Sequence, residues 1–136
     1  MSGRRYTTHT FFTAKAADGV GLSLFVRDFK NVVVDLITAA LAGGSSVTLK
    51  LQGAIGDSCP DFSAAASVSN PWSFFQGIDL NDGLAKDGST GFTIAGADDF
   101  KKVEFNVNGL DWVNIQLSGY AGPGNVTAKA TAFDNE

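Results

Sequence analysis

The 136-residue chain predicts an all-β fold: two antiparallel sheets stacked as a jelly-roll-like sandwich of about eight strands, in a single domain. Three observations carry this. Apolar and polar residues alternate at period two in a series of short runs. Sixteen glycines, with Asn-Gly, Asp-Gly and Gly-Pro-Gly steps, punctuate those runs. The more continuously apolar segments are rich in Val, Ile and Phe, the β-branched and aromatic side chains that suit a pleated surface.

Taken in order, "HTFFTA" (9–14) predicts a first strand within an N-terminal arm, residues 1–15, that orders on docking; residues 16–136 form the sandwich. "VGLSLFVRDF" (20–29) sets Leu22, Leu24 and Val26 on one face and Phe25 and Phe29 on the other. "NVVVDLIT" (31–38) offers Val32, Val33, Val34, Leu36 and Ile37. "WSFFQGIDL" (72–80) puts Trp72, Phe74, Ile78 and Leu80 opposite Phe75. These three read as central strands or strands covered on both faces. "TAALAGG" (38–44) has the composition of one helical turn, and "DFSAAASVSN" (61–70) is a long loop of small side chains, functional or interfacial.

The cleaner alternations follow. "SVTLKLQG" opposes Val47, Leu49 and Leu51 to Thr48, Lys50 and Gln52; "TGFTIAG" (90–96) adds a short strand. "KVEFNVNG" sets Val103, Phe105 and Val107 against Lys102, Glu104 and Asn106. "DWVNIQLSG" sets Val113, Ile115 and Leu117 against Trp112, Asn114, Gln116 and Ser118. "NVTAKATAF" sets Val126, Ala128, Ala130 and Ala132 against Thr127, Lys129, Thr131 and Phe133. Each predicts a strand with one face on a core. Asn108-Gly109 joins two of them directly and predicts an antiparallel hairpin.

Composition narrows the function classes. Ten basic residues against fourteen acidic ones give a net charge of −4, which speaks against nucleic-acid binding. A single cysteine, Cys59, rules out an internal disulfide and a cysteine-based zinc site. The two arginines near the start are not followed by the apolar run of a secretory signal, so synthesis in the cytoplasm is expected. No stretch has the ~20 apolar residues of a membrane helix.

No catalytic set stands out, and no enzyme activity and no cofactor are expected. His9 is the one histidine and has no marked partner. Cys59 reads as a small packing residue or an unreactive thiol. Asp79, Asp82, Asp87, Asp98 and Asp99 lie in turn-like segments, where aspartates commonly cap turns. An EF-hand read from Asp79 fails at its fifth position, which is Gly83, so no metal site is assigned. No phosphate-binding loop is present either.

The aromatic residues say more. Trp112 stands in phase with Asn114 and Gln116 on the polar face of its strand. Such a face can stack on a sugar ring while the amides bond its hydroxyls, anchor a protein interface, or be covered by a loop or arm of its own chain. The start of the chain, with Arg4, Arg5 and Tyr6, reads as a basic, aromatic arm that contacts a partner, the alternative being a frayed terminus.

The segment order "DFKNVVVDL", the "PDFS…NPW" loop and "NGLDWVNIQLSGY…GNVTAKATA", spanning about Arg27 to Phe133, resembles the small β-sandwich structural proteins of tailed bacteriophages, among them capsid decoration (cement) proteins. The resemblance implies a non-enzymatic role on the virion surface. It also implies the major capsid protein as partner, a homotrimer, and stabilisation of the shell by binding across capsid subunits. The reading from another class is a carbohydrate-binding module of a tail or adhesion device, with Trp112, Asn114 and Gln116 on the sugar.

Overall fold

The computed structural model describes residues 5–43 and 45–134. Twelve strands appear: β1 (Arg5–Lys15), β2 (Gly19–Val20), β3 (Leu24–Phe25), β4 (Asn31–Ala39), β5 (Ser46–Ala54), β6 (Ser73–Phe75), β7 (Gly77–Asp79), β8 (Ala85–Lys86), β9 (Phe92–Ala95), β10 (Phe100–Asn106), β11 (Trp112–Ser118) and β12 (Asn125–Asp134). The first sheet runs β1-β12-β4-β10-β7-β8. The second runs β2-β11-β5-β6, with β3 also on β11 and β9 also on β5. All pairings are antiparallel.

Taking β2 with β3, and β6 with β9, as broken halves of single strands leaves the two four-stranded layers of a jelly roll. The hairpin of β7 and β8 extends one edge. The predicted fold class is therefore what the chain adopts.

The core lies where the alternation puts it. Val103, Phe105 and Val107 from one layer meet Val113, Ile115, Leu117, Leu49 and Leu51 from the other, all essentially buried. The small residues of β12, Val126, Ala128, Ala130 and Ala132, face the same core. β4 sits in the middle of its sheet between β12 and β10, as its valine run predicts. Its alternate residues Val32, Val34 and Leu36 fill the core.

Several local expectations change. Asn108-Gly109 is a tight turn, closed by Leu110 N–H donating to the Val107 carbonyl at 2.9 Å, but it joins strands of different sheets. A reversal specifies direction, not hydrogen-bond pairing; here Val107, Leu110 and Val113 all turn inward, so the chain arches over the core instead of zipping into a hairpin.

The segment 20–29 forms only the two short pieces β2 and β3, with Leu22 exposed. The segment 72–80 splits between sheets at Gly77, where an added Cβ would lie 2.5 Å from the Phe105 ring, so only glycine lets the chain cross this close to the core. Ile78 and Leu80 consequently face out, not in. No helical turn forms over 38–43; Thr38 and Ala39 finish β4, and Gly44 lies outside the described residues.

Residues 5–15, expected as a docking arm, are a strand of the sandwich. β1 pairs with β12 from Arg5 opposite Asp134 to Lys15 opposite Val126, with irregularities around Phe11 and Phe12. Phe11 is buried in the core and anchors the strand.

Candidate functional site

The face predicted to carry Trp112, Asn114 and Gln116 is the outer side of the second sheet, and the chain uses most of it for itself. β2 and β3 pair with the two ends of β11, and residues 21–23 leave a gap between them. The Asn114 amide fills that gap. Its Oδ1 accepts from the Gly21 N–H at 3.1 Å, which also reaches the Ile115 carbonyl at 3.2 Å, and its Nδ2 donates to the Gly21 carbonyl at 2.8 Å, giving that carbonyl a side-chain donor. Asn114 is only 3% exposed.

Gly21 belongs at this spot because a Cβ would fall 2.4 Å from the Phe11 carbonyl oxygen. That approach lets Leu22 N–H donate to the same carbonyl at 2.8 Å, tying one sheet edge to the other. His9 is spent on the same seam: Nε2 meets the Leu22 carbonyl at 2.8 Å and the ring packs edge-on to Phe11.

Trp112 is half-buried. It packs on Phe25, the residue opposite it on β3, with ring centres 4.8 Å apart, and its Nε1 donates to the Gly56 carbonyl at 3.1 Å. The loop 55–72 then folds over the neighbouring part of the sheet. Phe62 and Trp72 are buried there with Ala54, against Phe74, Trp112 and Val20. Beneath them Gln52 is fully buried; its Nε2 donates to the Phe62 carbonyl, and its Oε1 has no protein partner.

The loop is held internally by Asn70, which bonds the backbone of Asp61 and Ala65, and by Trp72 Nε1 donating to the Ala64 carbonyl. It is pinned at its start by Asp111, which accepts from the Gly56 N–H. Arg27 bridges Asp111 and Asp57 at 2.7 and 2.8 Å. Arg27, through its hydrogen bond, holds the Asp111 carboxyl below the usual carboxylate range, and the Gly56 N–H adds to the effect.

Of the three predicted contact residues, then, Trp112 and Asn114 are mainly structural, and Gln116 is half-buried between Lys50 and Val20. The open platform expected for a sugar or partner does not form, because the Phe25 ring packs on Trp112, the Gly21 backbone takes up the Asn114 amide, and the loop covers the neighbouring part of the sheet. Sequence reading missed Gln52, Phe62 and Trp72 as the other half of this cluster. The two ends of the loop, "PDF" and "NPW", were its visible signal.

Of the predicted arm contacts, Arg4 lies outside the described residues. Arg5 donates to Asp134 at 3.0 Å and to the Asp28 carbonyl, with Lys30 on the same carboxylate at 3.7 Å. Asp134 is held below the usual carboxylate range chiefly by that Arg5 bond. Tyr6 remains displayed, 68% exposed.

The acidic side chains of the turns cap nearby backbone N–H groups, Asp98 across to the end of β4 and the others within their own segments. Asp82 accepts from Leu84 N–H, Asp87 from Ser89, Asp98 from Ala40 N–H and Asp99 from Phe100 N–H. Among the described residues no three His, Cys, Asp or Glu side chains converge. Cys59 is exposed, its thiol 3.3 Å from Ser23 Oγ.

A cleft of about 490 Å³ at one end of the sandwich is lined by Asp79, Leu80, Asn81, Phe100, Lys101 and Lys102. Asp79 is buried and paired with Lys101 at 2.9 Å. Its carboxyl sits below the usual range because Lys101 and the Asn81 N–H bond the charged form. A carboxylate neutralised in place fastens β7 to β10 and is not poised to move a proton. Beside it Phe100, Leu80 and Ile78 expose apolar surface.

No protein-family model and no curated protein sequence matches the chain. Among solved structures, the SPBc2 prophage-derived protein YomS superposes with a TM-score of 0.69 at 15% identity, over 98% of this chain and 97% of that one. The PBSX exported protein XepA superposes with a TM-score of 0.71 at 17% identity, over 98% of this chain but 39% of that one. At such identities the likeness shows the fold: the sandwich makes up nearly all of YomS and corresponds to about two-fifths of XepA.

Proposed function

We propose that this chain is a non-enzymatic structural component of a tailed-phage particle that decorates the capsid and stabilises it by binding across major capsid subunits. The observation that carries the reading is a rigid scaffold that displays apolar side chains. Val68, on the internally bonded loop 55–72, is fully exposed, and Ile55 and Tyr6 stand out at 72% and 68%. A loop already ordered by its own hydrogen bonds loses little conformational freedom on docking, which favours a clamp.

The prophage origin named for YomS, a fold of the same extent, supports the phage setting. Tyr6 and the arginines beside it, Arg4 and Arg5, contribute a second contact in this reading. The carbohydrate-binding alternative loses its platform with the burial of Asn114.

The test is made on particles. Virions purified with and without the gene for this chain are probed for the protein and heated while DNA release is followed. The protein on the shell and earlier release from particles lacking it are expected. Virions that never contain the chain would refute the proposal.

A further inference from the structure

We propose that the outer face of the first sheet is a self-complementary surface that pairs two copies of this chain about a two-fold axis. Its β10–β7 half is bare, with Ile78, Leu80 and Phe100 exposed by 38%, 45% and 65%. Water-facing strands usually present polar side chains there, and clustered exposed apolar residues mark contact surfaces.

The charges on this face are arranged in rows. Across β12, β4 and β10 one row reads Thr131, Val33, Glu104, and the next reads Lys129, Asp35, Lys102. Asp35 and Lys102 already pair within the chain at 2.9 Å.

Charge decides which way a second copy lies. A two-fold axis along β4 would set Lys129 against Lys102 of the other copy, like against like, and one running between β4 and β10 would only set Lys102 against the Asp35 that each copy already pairs for itself. An axis across the strands, between the two rows, sets Lys102 of each copy against Glu104 of the other, twice over. It also lays Phe100, one row beyond Lys102, over Asn106 of the other copy, one row beyond Glu104. The face carries a depression of about 400 Å³ lined in part by Thr8, Thr131, Val33 and Lys102. Interleaved side chains of a facing sheet, packed ~10 Å away, occupy such space.

Six strands ~4.8 Å apart, from two to eleven residues long and averaging about seven, present the equivalent of roughly 24 Å by 24 Å, on the order of 1,100 Å² for two copies. That passes the roughly 1,000 Å² of a specific interface but only at its lower end, so the dimer is a modest one. The contact is isologous and does not depend on the capsid reading. A monomer that still enters virions sinks this proposal and leaves that one standing.

Light scattering on the full chain from about 1 to 200 µM tests it. The wild type forms dimers. Glu104→Lys and Lys102→Glu, each alone, weaken association by about tenfold or more, and an equimolar mixture of the two regains it, because every facing pair is again opposite in sign. Because Lys102→Glu sets a carboxylate beside Asp35, its folding is checked by thermal melting. If it is unfolded, Phe100→Asp replaces it and must abolish the dimer. A wild type that stays monomeric, a trimer, a mixture no better than its components, or a Phe100→Asp dimer overturns the proposal.

Discussion

Asn114→Ala separates a structural amide from a contact amide. In the sandwich the Asn114 side chain bonds both the N–H and the carbonyl of Gly21. After truncation the Gly21 N–H keeps a bond to the Ile115 carbonyl at 3.2 Å, but the Gly21 carbonyl loses its Asn114 donor. An orphaned, partly buried acceptor costs about 1–3 kcal/mol and a lost net hydrogen bond about 1 kcal/mol more, so a total of about 2–4 kcal/mol is expected.

For a domain of this size that lowers the melting temperature by roughly 6–15 °C. Urea unfolding, read by linear extrapolation, measures the loss directly. Gln116→Ala, on the same strand face but only half-buried, is the control, with a change of about 0.5 kcal/mol or less. Amide exchange adds location: Gly21 and Leu22 lose protection in Asn114→Ala before the core strands do. A loss below about 0.5 kcal/mol for Asn114→Ala would refute the reasoning, because that is what a solvent-facing residue gives.

Three further outcomes follow from the same contacts. Gly21→Ala drives a methyl group into the Phe11 carbonyl and destabilises by about 1–3 kcal/mol, the usual cost of overpacking; unchanged urea unfolding contradicts the close seam. Trp112→Ala costs about 2–3 kcal/mol, less than a fully buried tryptophan, and alters near-ultraviolet dichroism through the loss of the Phe25 contact; a neutral change returns Trp112 to the free surface. Asp79, Asp111 and Asp134 have carboxyl pKa values depressed in the folded state by Lys101, Arg27 and Arg5 respectively. Their stabilisation is therefore complete above the unfolded value of about 4 and is lost as pH falls through the folded values. Urea midpoints should be level with respect to these groups from about pH 5 to 8 and drop below about pH 4, and a profile flat to about pH 2 contradicts the pairing.

Much of the fold was legible because alternation at period two is a local property. Val103 and Phe105, Val113 and Ile115, and Val47 and Leu49 reach the core for the reason the sequence displays: each run has one apolar side. The misreadings share one physical origin. Asn108-Gly109 specifies a reversal but not whether the strands it joins become hydrogen-bonded neighbours or face each other across a core. "WSFFQGIDL" looks like one strand until Gly77 lets the chain cross between layers, so Ile78 and Leu80 end outside.

The same divide runs through the candidate site. Sequence phase alone determined that Trp112, Asn114 and Gln116 lie on the face of their strand away from the main core. Only the tertiary structure decided what covers that face, because the answer rests on residues far away in the chain. Gly21, 93 residues from Asn114, bonds both ends of its amide; the Gly56 carbonyl takes the Trp112 indole N–H; Phe62 and Trp72 close over Gln52. A side chain's periodicity is written in its neighbours, but its burial is a property of whatever else the fold brings against it, and that is settled when the sheets pack.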